Sequence, residues 1–106
     1  MFKLAQSETF KALIKVNVAT PSGAWREESF TGIFKRTDED RREELLALKF
    51  VELLREVLVG WEMVDEARVP VEFNEQNLEA FLKLTGAVRE AAQAYWKHNV
   101  GAKEKN

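Results

Sequence analysis

Alternating apolar and polar residues near the start of the chain constrain its fold most strongly. From Phe10 to Val18 every second residue is apolar, and polar residues fill all but one of the positions between them. This period of two is typical of a strand that buries one face. Thr20-Pro21-Ser22-Gly23 follows, with the residue types that form tight turns. A second run over residues 25–35 completes a predicted antiparallel hairpin.

A long amphipathic helix is predicted over residues 38–59. Asp38, Glu39 and Asp40 suit the positive end of a helix dipole, and Gly60 suits the position just beyond the helix C-terminus. At 100° per residue, one broad arc of the helix is apolar and is predicted to face the core. This arc consists of Leu46, Phe50, Val51, Leu53, Leu54, Val57 and Leu58.

Shorter elements complete the predicted fold. Two short strands are predicted over residues 61–64 and 69–73, around a turn at Asp65-Glu66-Ala67-Arg68. Asn74 is a good N-cap for the next helix, which Thr85-Gly86 is expected to end, and a final helix is predicted over 87–98. The fold class is therefore α+β: an N-terminal antiparallel β-hairpin, one long helix, a short second strand pair and two C-terminal helices.

We expect the 106 residues to form a single domain. Residues 1–9 are predicted to be a loose arm and 99–106 a polar tail that frays. The apolar runs are far shorter than the about 20 residues that a membrane span needs. The N-terminus has no apolar stretch long enough for a signal peptide. A cytoplasmic protein that does not enter membranes is expected.

The residue inventory argues against an enzyme. The chain has no cysteine, and its one histidine, His98, lies where a helix dipole favours it. The acidic group at 38–44 lacks the ligand spacing of a calcium loop, and no glycine-rich phosphate motif is present. The formal charge of −2 disfavours nucleic acid as a partner. We therefore expect no catalytic residues, no metal and no cofactor.

Protein binding is the remaining class of function. Leu13, Trp25 and Ile33 interrupt the polar sides of the two predicted strands. They could form an apolar patch on the outer sheet face, which would be a candidate interface. A loop or the N-terminal arm could instead cover them, or a bulge near Glu28 could reverse the alternation.

For two leucines and a pair of aromatic residues, the sequence also leaves open whether they bind a partner. Leu45 and Leu48 lie on the charged side of the predicted long helix, where they could touch a partner helix or be isolated surface residues. Tyr95 and Trp96 are adjacent in a helix and point in different directions. One of the two is predicted to be in the core and the other partly exposed.

The order of these elements resembles that of the small tail assembly chaperones of long-tailed bacteriophages and prophages. The resemblance covers residues from about 28 to 96, and its most specific parts are a Gly-Trp element and a Pro-x-x-Phe segment that leads into an Asn-capped helix. The chain departs from the family pattern at Ala67-Arg68, where a glycine is usual. The residues that carry the resemblance are Glu28–Arg36, Val57–Glu66, Val69–Leu78 and Val88–Tyr95.

The resemblance implies a non-enzymatic role in virion assembly, in the cytoplasm of a bacterial host. Such a chaperone binds the tape-measure protein, helps to recruit tail-tube subunits and leaves as the tube polymerises. Weak self-association is compatible with this role. The resemblance also implies that frameshifting near the end of the gene could give a longer product. The alternative is a dimeric cytoplasmic adaptor that associates through the outer sheet face.

Overall fold

The computed structural model describes residues 4–99, which form a three-stranded antiparallel sheet and four α-helices. The predicted α+β class is confirmed. The sheet has the order β1-β2-β3. The strands are β1 Thr9–Ala19, β2 Trp25–Lys35 and β3 Leu58–Glu62, and the helices are α1 Arg42–Leu46, α2 Phe50–Val57, α3 Glu75–Leu82 and α4 Thr85–Asn99.

The predicted hairpin is confirmed. β1 and β2 pair along their whole lengths in one register, so the bulge considered near Glu28 is absent from this ladder. In the turn, the Gly23 N–H donates to the Thr20 carbonyl at 2.9 Å, and the Thr20 N–H donates to the Ala24 carbonyl at 2.8 Å. Gly23 has a φ of 91°, a conformation that glycine adopts without steric cost.

The predicted long helix is wrong, because the chain leaves the helical conformation twice. A single 3-10 turn at Glu39–Arg41 leads into the short helix α1. Lys49 is then extended, with a ψ of 158°, and its N–H donates to the Glu52 carboxylate at the start of α2. Leu58 is also extended, with a ψ of 112°. Residues 38–59 therefore supply two short helices and the start of a strand.

Gly60 does not follow a helix as predicted. It lies in β3, opposite Ile33 of β2, and a Cβ added to it would lie 3.4 Å from the Ile33 side chain. The β-branched pair Val57 and Val59 flanks Leu58, and such residues suit a strand that has a partner. The open edge of β2 provides that partner, which is a tertiary contact that helical periodicity does not report.

The predicted second strand pair is only partly present. Its first residues, Trp61 and Glu62, belong to β3 and pair with β2. Between the two predicted strands there is one isolated bridge, Val64 to Pro70, and the Val71 N–H donates to the Met63 carbonyl at 2.8 Å. The turn at residues 65–68 therefore forms as predicted, but Trp61 and Glu62 pair with β2 and not with residues 69–73.

The last two helices match their predictions closely. The Asn74 side chain caps α3 by accepting a hydrogen bond from the Asn77 N–H at 2.8 Å. α4 begins at Thr85, two residues before the predicted start, so Gly86 lies inside the helix. Asn99, predicted to begin the polar tail, is the last residue of α4, and the remainder of that tail lies outside the described residues.

The core lies between the inner face of the sheet and the helices. α4 packs against β1, and α2 and α3 pack against α4. Within the predicted apolar arc, Leu53, Leu54, Val57 and Leu58 are buried, but Leu46, Phe50 and Val51 are exposed. The largest fully buried side chains are Tyr95, Phe34, Ile14, Leu45, Leu53, Leu54 and Val57.

Candidate protein-binding surface

Two of the predicted interface residues are neighbours on the outer face of the sheet. Leu13 lies opposite Thr31, and Ile33 is two residues further along β2, so Leu13 and Ile33 are diagonal neighbours. Leu13 is 55% exposed and Ile33 is half-buried. Gly60 of β3 lies beside Ile33 and leaves this part of the face without a covering side chain.

Trp25 belongs to a different region. It lies opposite Ala19 at the far end of the hairpin, six residues from Thr31, or about 20 Å along the strand. It is 71% exposed, so no described part of the N-terminal arm covers it. The single predicted patch of Leu13, Trp25 and Ile33 is therefore divided into two separate surfaces.

The second surface is a projecting part of the hairpin, residues 17–29, which we call the hairpin arm. Every residue in it is exposed except Thr20, which is half-buried. The radius of gyration is 14.8 Å, against about 13 Å expected for a compact domain of this size. β3 reaches only as far as Thr31 along β2, so the arm is a two-stranded ribbon beyond the body of the sheet.

Leu45 and Leu48 do not form a surface. Leu45 is fully buried, which makes the prediction of an exposed position wrong, and Leu48 is half-buried against the core. The non-helical residues between α1 and α2 interrupt the helical periodicity, so one helical wheel cannot describe both helices. The same break exposes Leu46 and Phe50, and the local sequence contains no proline or glycine that would have indicated it.

Three of the four segments that carry the family resemblance meet around Trp61. The Trp61 ring contacts Phe73 with a centroid distance of 4.8 Å, and it also packs against Phe30 and Phe81. Its indole N–H donates to the Val71 carbonyl at 2.9 Å. The Gly-Trp and Pro-x-x-Phe segments therefore form one aromatic cluster, in which Trp61 is 8% exposed and has a packing role.

The departure from the family pattern coincides with a left-handed residue. Arg68 has a φ of 65°, where glycine is favoured. The Asp65 carboxylate nevertheless closes the turn, because it accepts hydrogen bonds from the Ala67 N–H at 2.8 Å and the Val69 N–H at 3.0 Å. The tight turn thus forms without glycine.

Tyr95 joins α4 to the segment that follows β2. It is fully buried, whereas Trp96 is half-buried, as the sequence predicted for one member of this pair. The Tyr95 hydroxyl is hydrogen-bonded to the Thr37 hydroxyl, and the Thr37 N–H donates to the Asn99 side chain at 3.1 Å. Burial raises the pKa of Tyr95 above its usual value. The phenol is therefore uncharged at neutral pH.

Ion pairs surround the helices on the solvent side. The Arg41 guanidinium lies 3.0 Å from Glu56 and 3.1 Å from Glu44, and Lys35 lies 3.7 Å from Glu56. The hydrogen bond from Arg41 lowers the pKa of Glu56. Lys35 and Glu44 are exposed and Arg41 and Glu56 are half-buried, and ion pairs that remain this open to water contribute little to stability. They fix the 3-10 turn relative to α2.

No group of three His, Cys, Asp or Glu residues among residues 4–99 is arranged to hold a metal ion. His98 lies 3.0 Å from the Ala94 carbonyl and stacks on Phe10. None of the described helices is both long enough and apolar enough to cross a membrane. Comparisons with family models, curated proteins and solved structures found no match to the chain.

Proposed function

We propose that this chain is a non-enzymatic tail assembly chaperone that binds a phage tape-measure protein and helps to recruit tail-tube subunits. The observation that carries the proposal is the exposed Trp25 on the projecting hairpin arm. Large exposed aromatic residues are enriched among the residues that dominate binding energy at protein interfaces. The family resemblance supplies the identity of the partners.

The shape of the arm suits a partner that is long and partly apolar. Trp25 lies on the outer side of the ribbon, while Val18, 38% exposed, lies on the inner side. Both faces of the arm therefore present apolar area to solvent. A long amphipathic helix exposes an apolar stripe that aggregates unless it is covered, and many small copies can cover it reversibly.

Co-expression tests the proposal directly. The chain is produced with the tape-measure protein encoded nearby in its source genome, and the mass of the complex is measured by light scattering. We expect a soluble complex with several copies of the chain on each tape-measure protein. A tape-measure protein that remains insoluble, or that elutes without the chain, would contradict the proposal.

A matched pair of variants locates the contact. We expect Trp25→Ser to weaken the complex at least about tenfold, with a melting temperature within about 2 °C of the parent, because an exposed side chain contributes little to folding. Leu84→Ser is the control, since Leu84 is 56% exposed but lies between α3 and α4. Equal losses in the two variants would show that the arm is not the contact.

The outer face at Leu13 and Ile33 favours the second candidate function, a dimeric adaptor. Its diagonal apolar pair could meet the same pair of a second copy. In that case the chain alone would have one defined mass that dilution barely changes, and Ile33→Ser would lower that mass. A stable dimer that does not bind the tape-measure protein would select the adaptor function.

A further inference from the structure

The hydrogen-bond pattern of the hairpin shows which backbone groups of β1 are unpaired. At one end of the β1–β2 register the Arg36 N–H donates to the Glu8 carbonyl, and at the other the Thr20 N–H donates to the Ala24 carbonyl, each at 2.8 Å. Antiparallel pairs alternate between bonded and non-bonded. Even-numbered residues of β1 therefore bond to β2, and the odd-numbered ones point their N–H and C=O groups to the free edge: Lys11, Leu13, Lys15 and Asn17.

This edge lacks three of the features that usually block strand addition, namely proline, a bulge and a short length, but it carries Lys11 and Lys15, which disfavour a partner strand unless that strand is acidic. β1 is the outermost strand beside β2, has 11 residues and contains no proline or register shift against its partner. The opposite edge strand, β3, has only 5 residues, and its pairing with β2 contains a register irregularity at Ile33/Phe34. A long regular edge is a template for pairing with another strand.

A groove between β1 and α4 provides the space for an added strand. It has a volume of about 390 Å³ and is lined on the strand side by Leu13, Ile14 and Lys15. Ala94 and Lys97 are among the residues that line it on the α4 side. Side chains alternate along a strand, so those of an incoming segment would lie in turn beside Leu13 and Lys15 and against α4.

The charges around the groove favour an acidic segment. Lys15 and Lys97 line it, and its acidic residue, Glu90, is 3.8 Å from Arg89 on the same helix. A second copy of β1 fits less well. Antiparallel pairing of two β1 edges about Leu13 would place Lys11 opposite Lys15 of the other copy, and like charges directly opposite are destabilising.

We propose that the free edge of β1 binds an extended, acidic segment of another protein, which adds to the sheet as a fourth strand. Backbone hydrogen bonds to Leu13 and its odd-numbered neighbours give the affinity, and Lys15 selects acidic side chains. The groove adjoins a cavity that Trp25 lines, because Lys15 and Glu90 line both. The backbone groups of the β1 edge do not include Trp25, so the inference does not depend on the proposed function.

Peptide binding to the full chain tests this site. The probe is the capped peptide Thr-Glu-Thr-Val-Thr-Glu-Thr, which places glutamates beside Lys11 and Lys15 in either direction, and the control peptide has lysine at both glutamate positions. Fluorescence anisotropy at low salt is expected to show binding of the acidic peptide below about 1 mM and weaker binding of the basic one. Amide exchange of Leu13 and Lys15 is expected to slow when the acidic peptide is bound.

Two variants separate edge pairing from a non-specific charge effect. Leu13→Pro removes an N–H that points to the free edge, so it should leave the β1–β2 bonds intact and weaken peptide binding at least about tenfold. Glu27→Pro is the matched control, because its N–H points to the other open edge of the arm and binding should not change. Lys15→Glu keeps the backbone and should abolish the preference between the two peptides, because the edge then carries one lysine and one glutamate.

Several results would overturn the proposal. They are the absence of binding up to about 1 mM, equal binding of both peptides, and binding that neither Leu13→Pro nor Lys15→Glu reduces. Light scattering of the chain alone tests whether a second copy of the chain occupies the edge instead. A multimer that Leu13→Pro dissociates would assign the edge to a second copy of the chain.

Discussion

The two halves of one hairpin differ in almost everything except their strand pairing. In the body half, Ala12, Ile14 and Phe34 are buried at 3%, 1% and 0% exposure. In the arm, Val18 continues the same alternation on the same face and is 38% exposed. The helices pack over one half and not over the other. Alternation therefore tells which face a side chain takes, whereas burial depends on what covers that face.

Truncation of one inner residue in each half gives the largest contrast. We expect Ile14→Ala to lower the free energy of unfolding by about 2–5 kcal/mol, because it leaves a cavity beneath α4. Val18→Ala should cost less than about 1 kcal/mol, because its site is already open to water. Urea denaturation measures both. Similar losses would mean that the arm is covered in solution.

The hydrogen bond between Tyr95 of α4 and Thr37 is expected to make a smaller contribution to stability. Tyr95→Phe keeps the ring stack with Phe34 and Phe10 but removes the hydroxyl that is hydrogen-bonded to Thr37. We expect a loss of about 0.5–1.5 kcal/mol, the usual net value of such a bond. Thermal unfolding measures it. An unchanged melting temperature would show that Asn99 alone satisfies Thr37.

A substitution outside the hairpin measures how much the left-handed conformation of Arg68 costs in stability. Arg68→Gly places glycine at the left-handed position of the turn, and we expect a gain of about 0.5–1 kcal/mol after the entropy of glycine in the unfolded chain is counted. Ala67→Gly is the control, because Ala67 does not have a positive φ. A loss of stability in Arg68→Gly would show that the arginine side chain compensates for its conformation.

The smallest expected effect concerns pH at the body end of the hairpin. Arg41 lowers the pKa of Glu56 in the folded state, so this pair contributes stability above the unfolded pKa of about 4.5 and loses it as the pH falls further. Glu56→Gln should lower the stability slightly at pH 7 to 9 and leave it unchanged well below the unfolded pKa, so the acid limb of the stability curve becomes slightly flatter. An identical acid limb in both proteins would show that solvent screens the pair.

The hairpin and the last two helices could be predicted because their signals are local. Turn residues at 20–23 and the cap at Asn74 act through neighbours a few residues away. The helix over 38–59 could not be predicted correctly. Its break at Lys49 and its conversion to strand at Leu58 depend on β2 as a partner.

The same limit applies to the candidate surface. The alternation places Leu13 and Trp25 on the outer face of the sheet, whereas the distance between them depends on the register. The prediction for Leu45 was wrong because it assumed one continuous helix, whereas the chain leaves the helical conformation between α1 and α2. The free edge of β1 is a property of the strand order, which no residue pattern in β1 itself reports.

The contact between β1 and α4 has a consequence for synthesis on the ribosome. Phe10 of the first strand stacks on Tyr95 of the last helix, with 6.1 Å between the ring centroids. The apolar face of the nascent hairpin therefore emerges long before the helix that covers it. Until α4 arrives, that face is open to aggregation or to capture by cellular folding factors. Pauses late in translation should prolong this exposure, while pauses after residue 99 has emerged should have no effect on it.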